Sequence, residues 1–446
     1  MLTQELGKIV EDASRRGTSE AARKSAKPGI IDTIATMLAG RREAATTVLR
    51  RTLGALPEGK AKEVVGLANT RAADAALINS VAAHALDFDD VALRGHPSAV
   101  MVPAILALAA EIGSNGRDVL DAYVVGYQVW GDLVQREPDM HHLKGWHPTS
   151  VFGSTGAAAA CAMLLRLDAR RAAHAIGLGA TQSAGLMANF GSMAKPLQAG
   201  RAAQAGVWAA RLAEEGFTAG ADVLEHPQGF LKAFSPKGNA DSERPVADPA
   251  QQWTIERQPV SIKKYPTCFY THRVLDSILA ARALKEIPPD QIASVQVHIS
   301  REHATVLRNH RPDTGLAAKF SIEFAVASAL LFGKTGLSQL TDPVVRDARV
   351  QTLMGKVSTV PCTDYSVEWQ GAAAADWAVI HLANGERIET APVTHARGHA
   401  TRPLEKHDLD AKFRDCVRVG AADIDADRLL DKLWRLDDQV INELWS

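Results

Sequence analysis

Between residues 84 and 98 the chain reads HALDFDDVALRGHPS, which sets His84, Asp87, Asp89, Asp90, Arg94 and His96 between two strongly apolar runs. Imidazoles titrate near ~6.5 and carboxylates near ~4, so these side chains can exchange protons or hold charge beside a substrate at neutral pH. Four places share one local design, in which basic residues precede a proline and then an apolar segment. They are His96-Pro97 in RGHPS, His147-Pro148 in GWHPTS, Lys195-Pro196 in GSMAKPL, and Lys263-Lys264 ahead of Pro266 in IKKYPTC. Proline is tolerated in the first turn of a helix, where the N–H groups lack internal partners. Those N–H groups and the positive end of the helix dipole favour an anion. A histidine placed there is biased towards its neutral form, a donor or a base. Lys195 and Lys263 would add positive charge for carboxylates or phosphates.

Each residue also has a plainer reading. His96 and His147 fit helix caps or turn residues, and Lys195 and the Lys263–Lys264 pair fit solvated surface lysines. Asp89 and Asp90 read as helix-end or loop carboxylates at the surface. Asp87 differs, because it lies three residues after His84 on the face of a helix marked by Leu77, Val81 and Ala85. A His84–Asp87 pair would be a structural hydrogen bond or part of an acid–base relay. His272, downstream of Pro266, fits a packed histidine as well as a site residue.

Several chemistries lack their motifs. Asp and His suit divalent ions, but there is no H-E-x-x-H, EF-hand loop or close His-x-His set. GSTGAAAAC has neither the P-loop Lys-Ser/Thr nor G-x-G-x-x-G, and no G-x-S-x-G elbow is present. Cys161, Cys268, Cys362 and Cys416 are scattered, which argues against a disulfide framework, a zinc ribbon or an iron–sulfur cluster. The formal net charge of -1 gives no global field for nucleic acid or anionic lipid. No run approaches the ~20 apolar residues that span a bilayer. MLTQELGKIVEDASRRG reads as an amphipathic helix, not a secretory signal. The expectation is a cytoplasmic protein with no nucleic-acid or membrane partner.

The elements that would position these residues are mainly helical. Residues 1–255 are rich in Ala and Leu at helical spacing, with small residues that permit close helix packing. After that, IASVQVHIS alternates as a half-buried strand, and DWAVIHLANGERIETAPV offers two strands around Asn384-Gly385. HRVLDSILAARALKE before the first strand and FSIEFAVASALLFG between the strands read as helices. The expected fold is mainly α with an inserted α+β domain. At 446 residues two domains are the prior: a first helical part at 1–255, a smaller α+β domain at 256–400, and a helical return to the first domain at 401–446.

Five segments join these observations: HALDFDD with GHPS, GWHPTSVFGSTGAAAA, ANFGSMAKPLQAGRAAQAG, KKYPTCFYTHRVLD, and AKFSIEFAVASALL. In this order, and spanning most of the chain, they resemble the MmgE/PrpD family, which contains 2-methylcitrate dehydratase, cis-aconitate decarboxylase and iminodisuccinate epimerase. The resemblance implies a large helical domain built from both chain ends, an inserted smaller α+β domain, a cleft between them and a homodimer. It implies chemistry with no metal and no organic cofactor. Matched motif by motif, it implies Asp87, His96, His147, Lys195 and Lys263 as catalytic candidates. Lys195, Lys263 and His272 are implied for substrate binding, His272 through the Y-P-x-C-x-x-x-H segment.

The family reactions form or relieve a carbanion-like centre beside a carboxylate. The expected substrate is therefore a small di- or tricarboxylate. Val91 stands where cis-aconitate decarboxylase carries a threonine, Phe324 replaces a tyrosine of its later helix, and the loop to His96 is one residue shorter. These departures argue against that decarboxylase. R-G-H-P-S and K-F-S-I-E resemble the epimerase-like branch. The leading expectation is a lyase that dehydrates a 2-methylcitrate-like hydroxy acid. An iminodisuccinate-type epimerase and a non-catalytic carboxylate-binding protein stand as alternatives.

Overall fold

The computed structural model describes residues 1–367 and 371–445. The chain divides into two compact units, one made of 1–262 with 405–446 and the other of 263–404. The first unit is helical apart from a short ribbon pairing Ala61–Lys62 with Asn69–Thr70. The second is α+β, so the chain is mainly α with a smaller α+β part, as the periodicities predict. Among the described residues no helix is long and apolar enough to cross a membrane. The four cysteines are free thiols.

The helical unit is organised around the helix Pro148–Leu164, whose 17 residues are all buried. It is wrapped by the helices Leu2–Arg16, Pro97–Ile112, Gly116–Gln135, Ala169–Thr181 and Ala194–Glu214. Small residues at the crossings allow this enclosure. A Cβ on Gly206 would lie 2.3 Å from Ala157 Cβ, and one on Gly126 would lie 2.7 Å from the Gly156 carbonyl. Helix Ala72–Ala85 packs against Ala194–Glu214 by the same device, since a Cβ on Gly200 would meet Val81 at 2.5 Å. Helix Lys406–Gly420 lies on Glu20–Ala39, so residues 405–446 complete the first unit.

In the α+β unit four strands run in the order Val357–Pro361, Ile292–Ile299, Trp377–Leu382, Arg387–Glu389. The first pair is parallel and the other two are antiparallel. The last pair is the hairpin expected around Asn384-Gly385. Val295, Val297 and Ile299 of the central strand share one core with Leu275 and Ile278 of helix His272–Leu284 and with Phe324 and Leu330 of Ile322–Phe332. Arg273 forks onto Asp376, with both N–H···O distances at 2.7 Å, and ties the first of these helices to the start of a strand.

Three local expectations change. The helix carrying His84 stops at Ala85, so Asp87 is not on its face. The helix after Met193 starts at Ala194, which puts Lys195 and Pro196 inside its first turn. Pro266 does not open a helix; a 3-10 turn at Phe269–Thr271 leads into a helix beginning at His272 itself. Between them the backbone is drawn onto a neighbouring segment by the Cys268 N–H···O=C Lys319 bond, 2.8 Å.

The tight crossings give a stability prediction. Gly206→Ala should gain up to ~1 kcal/mol of helix propensity and lose about 1–3 kcal/mol to overpacking against Ala157. The expected net result is a lower midpoint in thermal or urea unfolding.

Candidate active site

The loop after Ala85 turns sharply at Asp87, whose φ of 51° is left-handed. Aspartate is among the few non-glycine residues that enter this region readily. The turn is closed by the Asp87 N–H to the His84 carbonyl, 3.2 Å. Beyond it, Val91 and Ser261 exchange backbone hydrogen bonds of 2.8 and 2.9 Å, and Ala92 and Gly95 do the same at 3.0 and 2.8 Å. A Cβ on Gly95 would meet Trp130 at 3.0 Å, so this turn sits hard against the helix Gly116–Gln135. His96 then caps the helix that begins at Pro97, and its own N–H is held by Thr149 Oγ1 at 3.2 Å. Pro97 and Pro148 both take the first helical position, as expected.

This architecture gathers Asp87, His96, His147 and Lys195 in the helical unit. Lys195 Nζ donates to Asp87 Oδ1 at 2.6 Å, and both side chains are buried. His96 Nε2 lies 3.9 Å from the same oxygen. His147 Nδ1 is 2.7 Å from Gln198 Oε1, while Gln198 Nε2 donates to the Leu186 carbonyl at 3.1 Å. That second bond fixes the amide, so Oε1 accepts and His147 carries its proton on Nδ1. Burial, with Lys195 and His84 adding positive charge nearby, holds His147 well below the usual imidazole range. His147 is therefore neutral, with a basic Nε2. Phe190 covers this corner, its ring 4.9 Å from that of His147 and 5.4 Å from Lys195 Nζ.

Asp89 and Asp90 are not surface carboxylates; both are fully buried. The partner of His84 is Asp89, not Asp87: His84 Nδ1 lies 2.9 and 3.1 Å from its two oxygens. His96 Nδ1 is 3.0 Å from Asp89 Oδ2. Burial alone would raise Asp89, but His84 and His96 outweigh it and hold the carboxyl well below its ordinary range. Asp90 behaves oppositely. Burial, and after it Asp32 and Asp89, push it well up against the hydrogen bond from Ser98. Ser98 Oγ also meets the Tyr123 hydroxyl at 2.6 Å. Beneath the loop, Lys412 from the C-terminal segment pairs with Asp32 at 2.6 Å, donates to the Phe88 carbonyl at 2.8 Å and lies 3.8 Å over the Phe88 ring.

Sequence reasoning missed Asp89, Gln198 and Lys412. Gln198 had a local signal, one helical turn after Lys195. Lys412 had none, because it comes from the opposite end of the chain. Lys263 and His272 belong to the α+β unit. Lys263 is its first residue and is buried. His272 Nε2 donates to the Thr267 carbonyl at 3.2 Å, and its ring packs on Tyr265 and Phe269. His84, Asp87, Asp89 and His96 bring ligand-type atoms within 4.8 Å of one another. The Lys195 ammonium already neutralises Asp87 there, and we assign these residues no metal-ligand role.

The mainly helical chain thus holds a buried lysine–carboxylate pair beside buried imidazoles in its helical unit. Residues 4–243 match the MmgE/PrpD N-terminal domain and residues 265–436 the MmgE/PrpD C-terminal domain. The chain belongs to the MmgE/PrpD family. It is 27% identical to the cis-aconitate decarboxylase of Homo sapiens over 358 residues, covering 76% of this chain and 71% of that one. The Mus musculus protein of the same name is 28% identical, covering 76% and 70%. That of Aspergillus terreus is 29% identical, covering 60% and 59%.

The buried histidines make stability depend on pH. Burial pushes His84 down to about 4 against the pull of Asp89, and it pushes His141 down to about 4 and His303 to about 3. The unfolded chain therefore binds protons first as pH falls. The stabilisation is full above about 6.5 and is lost as pH drops towards 4. For His84 alone it is on the order of 3 kcal/mol. Melting curves between pH 7 and 4.5 should show a falling midpoint, with a shallower fall in His84→Gln.

Proposed function

We propose that this chain is a lyase that moves a proton next to a carboxylate of a small di- or tricarboxylate, dehydrating a 2-methylcitrate-like hydroxy acid. The observation that carries the reading is the Lys195–Asp87 pair at 2.6 Å with His96 Nε2 3.9 Å from the same carboxylate oxygen. Lys195 is the cation that receives a substrate carboxylate and stabilises negative charge developing beside it. An imidazole Nε2, of His96 or of neutral His147, takes the proton from carbon. The same imidazolium then returns that proton to the leaving hydroxyl, which departs as water. Asp87 holds Lys195 in place. Among the α+β residues, Lys263 and His272 are proposed for substrate binding on the family motif.

Epimerisation is the second reading. It is favoured by the independent anchoring of the two imidazoles, His147 on Gln198 and His96 beside Asp89. Two separately held bases suit removal and return of a proton at one carbon. Decarboxylation, the activity in the names of the relatives, is the third outcome to be tested. By the family resemblance, Val91 and Phe324 stand in place of hydroxyl side chains of that enzyme, and Phe324 is buried in the α+β core.

The test is proton NMR of chelator-treated protein with a panel of di- and tricarboxylates in D2O. New vinylic signals from a hydroxy acid establish the dehydratase. Deuterium at the α-carbon with interconverted stereoisomers and no alkene establishes the epimerase, and carbon dioxide release establishes the decarboxylase. Lys195→Gln and His147→Gln should each lower turnover by about 100-fold or more. Binding without any turnover across the panel would sink the enzymatic reading.

A further inference from the structure

We infer that Asp89 is a positioning carboxylate shared by two histidines, holding His84 and His96 with their Nδ1 protons turned towards it so that the His96 Nε2 lone pair is presented beside Asp87 and Lys195. The inference deepens the proposed reading of the site and rests on it for its catalytic consequence.

The geometry is unequal but convergent. Asp89 is fully buried, and both of its oxygens lie within 3.1 Å of His84 Nδ1. Its Oδ2 lies 3.0 Å from His96 Nδ1, a close charge contact whose angle falls outside hydrogen-bond geometry. An ionised carboxylate has only lone pairs to offer, so His84 Nδ1 carries the proton, and the same charge favours a proton on the facing His96 Nδ1. A neutral imidazole has a single N–H, which leaves Nε2 as the basic atom of each ring. For His96 that atom is the one 3.9 Å from Asp87 Oδ1, the oxygen on which Lys195 closes. For His84, Nε2 is buried and finds no partner among the described residues.

The His84 ring stands edge-on to His96 at 4.6 Å and stacked over His147 at 6.0 Å. It thus adjoins both proposed bases. When His96 takes up a proton at Nε2, the new imidazolium has Asp89 at Nδ1 and Asp87 beyond Nε2, so both carboxylates favour it. The next residue shows that adjacency alone does not confer this role. Asp90 accepts from Ser98 and has the Tyr123 hydroxyl behind it, away from both imidazoles.

The test combines a readout that needs no substrate with one that does. Histidine-labelled 15N spectra of the full chain, assigned through His84→Gln and His96→Gln, report the tautomer of each ring. Both rings should be Nδ1–H in the wild type. Asp89→Asn removes the charge at nearly constant volume and should shift His96 to the Nε2–H form or to an average. Asp90→Asn should leave both tautomers unchanged. On the substrate found in the panel, Asp89→Asn should lower kcat by about 10- to 100-fold, as loss of an orienting partner does, with KM changed less than about three-fold. An Nε2–H tautomer for His96 in the wild type overturns the inference, and that spectrum decides the point even if Asp89→Asn does not fold. Unchanged tautomers and kcat in a folded Asp89→Asn protein overturn it as well. A silent substrate panel counts against the proposed function and leaves the tautomer result standing.

Discussion

A carboxylate moved from water into the interior of a helical bundle has to be paired, hydrogen-bonded or protonated, because an unpaired buried charge costs several kcal/mol. Four aspartates of this chain face that condition within one small volume, and each meets it differently. Asp32 has Lys412, Asp87 has Lys195, Asp89 has two imidazoles, and Asp90, pushed well up by burial, accepts from Ser98. These charges sense one another through a medium of low polarisability. The structure of the site follows from this distribution of charge more than from any single side chain.

That distribution depends on backbones approaching closely. Glycines and alanines at the helix crossings let Ala72–Ala85, Pro148–Leu164 and Ala194–Glu214 come near enough for His84, His147 and Lys195 to share one environment. The left-handed turn at Asp87 then separates consecutive acids of DFDD. Asp87 goes to Lys195, Asp89 to the histidines, and Phe88 to Lys412. Strain at a residue beside proposed chemistry persists only where its surroundings hold it. Here the Val91–Ser261 backbone pairing and the Lys412 contacts do so.

Much of this was legible in the residues. Leu77, Val81 and Ala85 mark a helix, IASVQVHIS a strand and Asn384-Gly385 a hairpin, because these signals act over a few residues. His96-Pro97 and His147-Pro148 announce helix starts for the same reason. The misreadings have a common cause. A helix continued through Asp87 follows from periodicity, but the periodicity holds no trace of the left-handed turn. Surface placement of Asp89 and Asp90 follows from their polarity. Their burial is decided by side chains far away in the chain, among them Lys412 and Asp32.

The sequence by itself determined the elements, the family and the residue types available for proton transfer, since helix periodicity, turn chemistry and motif order are local or sequential properties. Only the tertiary structure decided which carboxylate belongs to which base. It paired His84 with Asp89 and not with Asp87, placed Gln198 on His147, and brought Lys412 under a loop more than three hundred residues upstream. Pairing of buried charges is a contest among all groups that reach one volume. Only folding sets the membership of that volume.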